Sequence, residues 1–382
     1  MLILGIETSC DETAAAVVED GSKVLSNVVV SQIDIFAEYG GVIPEVAARN
    51  HLEVMMPVVK KALKDAKKTW DDIDAIAVTH TPGLLGSLLI GTLTARTLAI
   101  VHKKPLYAVH HLKSHIYANW LHAPIDEKDK NILSGLPELA SEDEGLSPVK
   151  TGAKNPSPKE SLLSFPLLAL VVSGGHTQIL RMDAHNHFEI IGTTRDDAVG
   201  ECFDKVAKIL GLPYPGGPAI TKAGKTGGKN RYKFPKPKVE GLDFSFSGLK
   251  TAVLRTVQKE LGLPINHPSH DLKNHLKEAQ IADFSASFEK TATDYLLEKL
   301  EKAYEMYPET KSFVIAGGVS ANELLREEAK NRFGEEKVFF PNPKFSGDNG
   351  AMVAAAAYFE IKSGVKPTDP YKLNILPRSE IK

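Results

Sequence analysis

The sequence predicts an α/β protein built as two similar lobes around a nucleotide cleft. Three observations predict it. The 382 residues are 42% hydrophobic and 25% charged, the balance of a globular chain long enough for two cores. Short apolar runs of strand length are interspersed with longer stretches whose apolar positions recur at helical spacing. One order of elements, three strands and then a helix, occurs twice, each time opened by a strand that runs into a turn of small and hydroxyl residues, as a duplicated nucleotide-binding unit would.

In the first half, residues 2–7 read as a strand, 13–19 as a second after a polar turn, and 24–31 as a third after the Asp20-Gly21 hairpin signal. Residues 44–65 have helical spacing, 75–78 form a strand, 84–101 a largely buried helix, and 106–109 a closing strand. The pattern restarts at 167–172, a buried strand ending in Ser173-Gly174-Gly175, followed by strands at 177–181 and 188–192 and a helix over 199–210. Residues 313–316 then run into Gly317-Gly318 and a helix over 322–332, a further strand-turn-helix seat for a phosphate or nucleoside. A last helix over 351–363 is apolar enough to pack back on the first lobe. The expected organisation is a first lobe over 1–121 completed by 350–376, an insertion over 122–164, and a second lobe over 165–349. The insertion is assigned by its Asp, Glu, Lys, Ser, Pro and Gly content and its lack of periodicity. Residues 265–274, with His267, His270 and nearby His275, read as a solvated loop rather than a second metal site.

The longest apolar stretches are broken by Ser, Thr and Arg or are too short to cross a bilayer, and Met1 leads directly into an apolar strand with no basic leader. The expectation is therefore a cytoplasmic protein with no membrane partner. Cys10 and Cys202 stand far apart and outside any paired-cysteine motif, which argues against a disulfide framework or a cysteine zinc site. A formal net charge of −2 gives no global attraction to nucleic acid, so such a contact needs a local basic patch or a partner's surface.

His111 and His115 lie four apart at the start of a predicted helix, a spacing that presents both imidazoles on one face and is compatible with chelating one divalent ion, or with two packed histidines. Leu112-Lys113-Ser114 stand between them, so the glutamate of an HExxH protease is missing. Asp348, flanked by Gly347 and by Asn349-Gly350, is a candidate third ligand or else the cap of the closing helix. Two imidazoles and a carboxylate leave open positions that suit iron, zinc or manganese, and spacing does not choose among them.

Residues 8–13, Thr-Ser-Cys-Asp-Glu-Thr, form either a phosphate-handling turn or an ordinary polar hairpin. Thr81-Pro82-Gly83 and Gly86-Ser87 open the buried helix, where free N–H groups favour an anion. The paired glycines 174 and 175 permit close backbone approach to a ligand. Asp204 and Gly216-Gly217 could meet a ribose and a base plane, or be a surface acid and a loop breaker. From Lys222 to Lys238 the chain carries Lys225, Lys229, Arg231, Lys233 and Lys236 with no acid, interleaved with Tyr232 and Phe234, a segment that could hold nucleic-acid phosphates and stack on an unpaired base, or simply be solvated.

The strings at 5–13, 40–45, 111–115, 172–177, 214–218, 244–250 and 317–322 stand in the order found in the tRNA N6-adenosine threonylcarbamoyltransferase family, formerly called O-sialoglycoprotein endopeptidase, and the chain resembles its bacterial branch over nearly all its length except the insertion. The resemblance implies an actin/Hsp70/sugar-kinase fold of duplicated ribonuclease-H-like lobes, with His111, His115 and Asp348 as metal ligands. Fe2+ is the implied ion, with Zn2+ as the alternative. It implies that Val171, Val172, Ser173, Gly174, Gly175, Asp204, Gly217 and Asn322 bind threonylcarbamoyl-AMP, and that the group is transferred to N6 of the adenosine adjacent to the anticodon in tRNAs reading codons that begin with adenine. It also implies two protein partners, a metal-site-lacking paralogue and a small P-loop ATPase. On this scheme Asp11 or Glu12 accepts the amine proton. Two departures stand out: the family is usually shorter where 122–164 lies, and Lys113-Ser114 replace residues that are often acidic or small. The rival readings are an actin-like ATPase or sugar kinase, a non-catalytic scaffold, and a metalloprotease.

Overall fold

The computed structural model describes residues 1–122, 163–379 and 381, so that the insertion read at 122–164 lies, apart from its ends, outside the described residues. Two five-stranded sheets organise the chain. The first holds β1 (Leu2–Glu7), β2 (Glu12–Glu19), β3 (Lys23–Ser31), β4 (Ala75–Thr81) and β5 (Leu106–His110) in the order β3-β2-β1-β4-β5. The second holds β6 (Leu167–Val172), β7 (Thr177–Ala184), β8 (His187–Thr193), β9 (Ser312–Ala316) and β10 (Val338–Phe339) in the order β10-β9-β6-β7-β8. Both sheets have one topology: the first strand pairs antiparallel with the second and parallel with the fourth. The duplication expected from the sequence is thus present in strand order and direction. β1 and β6 are central and covered on both faces, which is why each is an unbroken apolar run rather than an alternating one.

The first lobe carries α1 (Ile33–Tyr39), α2 (Pro44–Asp65), α3 (Leu85–His102) and α4 (His111–Tyr117). The second carries α5 (Val199–Leu210), α6 (Gly216–Gly224), α7 (Ser247–Glu260), α8 (Glu278–Met306) and α9 (Glu323–Phe333), and α10 (Gly350–Lys362) closes the fold. The sequence reading contained neither α1 nor α6, α7 and α8. The long α8 buries Phe284, Phe288, Ala292, Tyr295, Leu296 and Leu300 at helical spacing, but Ser285, Ser287, Glu289, Thr293 and Lys299 are buried among them and blur the contrast between an apolar and a polar face. Among the described residues α3 is the one helix long and apolar enough to span a bilayer. It packs against α2 and β4 through Leu88, Gly91, Ala95 and Ala99. Its other side leaves Leu85, Leu89 and Leu93 exposed at four-residue spacing, and Leu52 and Met56 of α2 are exposed as well.

α4 and α10 lie between the sheets. α10 packs on β1, β2 and α4, and α4 also touches β6 and β9. The run Ala351 to Ala357 is buried in a core shared with Ile3, Ala77, Leu167, Val171 and Val314. Only small residues permit this approach: a Cβ at Gly5 would stand 2.1 Å from the Gly350 carbonyl oxygen and 2.7 Å from the Ala354 nitrogen. Both are helix backbone and cannot swing aside. Gly5→Ala is therefore expected to cost at least about 1–3 kcal/mol, as overpacking does, read as an earlier urea-unfolding midpoint.

Candidate metal centre and interlobe cleft

Between the lobes lies a cleft of about 1600 Å3. Its first-lobe wall includes Ser9, Cys10, Asp11 and Glu12. Its second-lobe wall includes the turn from Ser173 to His176, together with Asp204, Gly217 and Asn322, and His111 and Asp348 also reach it.

The chain turns from β5 directly into α4, with His110 as N-cap accepting the Leu112 amide through its side chain, so His111 and His115 project from the first turns of a helix lodged between the sheets. Their rings stand 4.6 Å apart, edge to face. Asp348 reaches them from the segment before α10. Asn349 takes the capping role there, accepting the Met352 amide, so Asp348 is not the cap and its carboxylate is free to face the two histidines. Asp348 Oδ1 lies 3.1 Å from His115 Nε2 and 3.7 Å from His111 Nε2, and one donor atom from each of the three falls within 4.8 Å of the others.

The residues present fit a divalent ion. His115 is fully buried; its Nε2 faces Asp348 Oδ1 at 3.1 Å, and among the described residues its Nδ1 has no hydrogen-bond partner, so two buried imidazoles and a carboxylate face one another, as a cation-binding donor set does. Burial by itself would raise the Asp348 carboxyl, yet the neighbouring His111 and His115 hold it below the usual carboxylate range. Burial would likewise lower the His111 imidazole, but Asp348 and Glu7 hold it up at about 9. The centre is a carboxylate-imidazole trap of two nitrogens and one oxygen, a donor set for a borderline transition ion rather than a hard one. Lys113 points away from it, its ammonium over the Phe188 ring and beside Glu360, so the departure noted between the two histidines adds no charge at the donors.

Glu7 was not singled out from the sequence. It is fully buried at the end of β1, and its Oε2 lies 3.2 Å from His111 Nδ1 and accepts the Thr79 hydroxyl. Its other oxygen accepts the Ser9 amide. A carboxylate behind a ligand imidazole fixes its tautomer and orientation. The only signal in the sequence is an acid closing a wholly apolar strand.

The turn carrying Asp11 and Glu12 is clamped from two sides. His51 of α2 bonds Thr13 Oγ1 at 2.7 Å and the Cys10 carbonyl at 3.0 Å. Ser87 donates to the same carbonyl, and the Leu84 amide donates to the Ser9 carbonyl. The start of α3 thus holds this turn, and the Gly83 amide is taken by the Pro377 carbonyl; the anion seat expected there has two of its amides already occupied. Burial, with Asp348 and Asp11 close by, pushes the Glu12 carboxyl well above its ordinary value. Cys10 is raised too, by burial and then by Asp11, Asp348 and Glu12, while burial pushes Cys202 up to about 12. Neither thiol is poised as a nucleophile.

On the second lobe, Ser173, Gly174 and Gly175 form the turn at the end of β6, and a Cβ on either glycine would meet nothing within 4 Å. Val171 and Val172 do not line the cleft. Both side chains are wholly buried, Val171 toward α10 and Val172 toward the second-lobe core, because alternate strand residues face opposite layers. Asp204 Oδ1 accepts the Gly216 amide at 2.7 Å, shaping the turn that leaves Gly217 open to the cleft. Asn322 caps α9 through Oδ1 and donates to Thr221 and to Glu289 of α8, so its polar atoms are already engaged in holding the wall. The buried Glu289 was another residue the sequence did not reveal. So were Pro377, Arg378 and Ser379, a C-terminal segment that reaches the cleft rim beside Gly83, with the Ser379 carbonyl 3.4 Å from His110 Nε2.

Of the basic residues proposed for tRNA, Lys225 lines the cleft, joined by Lys208 and Lys222. Lys229, Arg231 and Lys233 are exposed outside it, and Lys236 pairs with Glu298. Of the aromatic residues among them, Phe234 is buried in the second-lobe core and is not free for a base, whereas Tyr232 is half-buried with one face stacked on Phe284 at 3.8 Å.

A sequence model of the tRNA N6-adenosine threonylcarbamoyltransferase family matches residues 23–130 and 146–355. A relative of that name from Caldicellulosiruptor saccharolyticus is 43% identical over 379 residues, covering 99% of this chain and 97% of the relative. Another from Symbiobacterium thermophilum is 44% identical over 368 residues, covering 96% and 93%. Among solved structures, full-length HypF in its phosphate- and nucleotide-bound form superposes with a TM-score of 0.54 at 13% identity, covering 95% of this chain and 46% of HypF. That likeness is one of fold, the actin/Hsp70/sugar-kinase architecture of paired sheets described above.

Proposed function

The chain belongs to the tRNA N6-adenosine threonylcarbamoyltransferase family and is a transferase, and from that premise we propose that it moves the threonylcarbamoyl group of threonylcarbamoyl-AMP to N6 of the adenosine adjacent to the anticodon, in tRNAs reading codons that begin with adenine. The observation that carries the metal-dependent form of this reading is the convergence of His111, His115 and Asp348 at the cleft. In the transfer the N6 nitrogen attacks the carbamoyl carbonyl, a C–N bond forms, the bond from that carbon to the phosphate oxygen breaks, AMP departs and N6 loses a proton. The substrate carbonyl is already activated, so no enzyme nucleophile is needed, in keeping with the raised thiols. A divalent ion held by His111, His115 and Asp348, Fe2+ by kinship or Zn2+, supplies Lewis-acid stabilisation of the carbonyl oxygen or an anchor for the threonylcarbamoyl group.

The protein's own share is alignment and proton handling. The open turn at Gly174 and Gly175 and the open face of Gly217 give the adenylate close backbone approach. Asp11 or Glu12, both in the cleft wall, would accept the N6 proton, and burial with the neighbouring Asp348 and Asp11 raises the proton affinity of Glu12. Lys208, Lys222 and Lys225 at the rim, continued outside by Lys229, Arg231, Lys233 and Lys236, offer the local positive surface that a chain of net charge −2 needs for tRNA. The exposed stripe Leu85, Leu89 and Leu93, with Leu52 and Met56, supports docking of the paralogue, with the P-loop ATPase as a further partner by kinship and the cytoplasm as the compartment.

The test supplies purified chain with threonylcarbamoyl-AMP and unmodified tRNA, alone and with the two partners, and follows the modified nucleoside by mass spectrometry. Product that disappears on chelation and returns with Fe2+ or Zn2+ is the expected result. Undiminished product from the stripped enzyme would remove the metal from the scheme, and steady ATP hydrolysis without transfer would favour the kinase-like rival.

A further inference from the structure

The loop joining α7 to α8 contains a second convergence of imidazoles on a carboxylate, well apart from the cleft lining. The geometry points to a second divalent transition-metal site at His267, Asp271 and His275. His267 Nε2 and His275 Nε2 lie 2.9 Å and 3.0 Å from the same oxygen, Asp271 Oδ2. The two rings stand edge to face with centroids 5.6 Å apart, at 78°, close to the 74° of the His111–His115 pair. A donor atom from each of the three lies within 4.8 Å of the others. The segment is a run of turns with one short 3-10 turn at Leu272–Asn274, and it is this folded loop rather than a helix that brings the three side chains together.

The arrangement is held from outside. Asn274 donates to Asp271 Oδ1 at 2.9 Å, which orients the carboxylate and leaves Oδ2 for the histidines. Gln258, buried in α7, donates to the carbonyls of Ile265 and His267, and Arg255 donates to Ile265 as well. Leu272, wholly buried in the second-lobe core, anchors the short turn between Asp271 and His275. The solvated loop expected from the sequence is therefore pinned at both sides, with its donors still partly exposed and accessible to an ion. Two nitrogens and one oxygen select zinc-like ions over Mg2+ or Ca2+, which ask for oxygen alone. An ion there would clip the loop together at a place with no part in the transfer chemistry.

Zinc is the probe, and metal content per chain after dialysis is the readout. A His111→Ala/His115→Ala chain is expected to retain a zinc ion that is lost when His267→Ala and His275→Ala are added. The same chain should gain thermal stability with zinc only while His275 is present. The intact enzyme carrying His275→Ala should keep its transfer activity and its circular dichroism while losing the second ion. His270→Ala, a neighbouring exposed histidine, should keep it. Zinc content unchanged by removing His267 and His275, or lost equally on removing His270, overturns the assignment.

Discussion

His115→Ala is expected to lower transfer by more than about 100-fold, beyond the cost of disturbing an outer-shell partner of a metal, while leaving the fold in place. The side chain is fully buried, and Asp348, 3.1 Å from its Nε2, is the polar group it faces. Its polarity is thus directed at the candidate metal centre rather than at the surrounding fold. The truncation leaves a cavity, and its stability cost is read separately by urea unfolding. Metal content by mass spectrometry and turnover under saturating adenylate should fall together, with circular dichroism unchanged. A variant that keeps both metal and turnover would show that this histidine is packing and nothing more.

Glu7→Gln should weaken metal affinity by about 10–100-fold, the range for a group behind a ligand, and reduce transfer at limiting metal while excess metal restores much of it. The substitution keeps the shape, and the Thr79 and Ser9 contacts can be remade, but it removes the negative charge behind His111. The pH dependence is a second readout. In the metal-free protein Asp348 and Glu7 hold the His111 proton up to about 9, so an ion must displace it and apparent affinity rises as pH climbs toward that value. Without the Glu7 charge the His111 pKa falls, and the rise should flatten at lower pH. Equal slopes in the two proteins would leave Glu7 a purely structural acid.

The sequence made the lobes legible because β1 and β6, the central strands of each sheet, are uninterrupted apolar runs followed by hydroxyl-rich turns. It made the His111 and His115 pair legible because helical spacing alone sets their common face. It could not decide Asp348, since a helix cap and a ligand look alike until Asn349 is seen to cap α10. Glu7, His51 and Glu289 act through contacts with residues far along the chain, and no local pattern announces such partners. Phe234 misled for the converse reason: basic neighbours suggested an exposed strip, while its ring is buried in the second-lobe core.

The donors come from opposite ends of the chain's history: the two histidines follow the first sheet directly, whereas Asp348 arrives after the second sheet is complete and only because α10 doubles back against Gly5. A ribosome must therefore release nearly the whole chain before an ion can be captured with all three. An ion held by all three would cross-link α4 to the segment that leads into α10, fastening the chain that leaves the second sheet to the helix that follows the first.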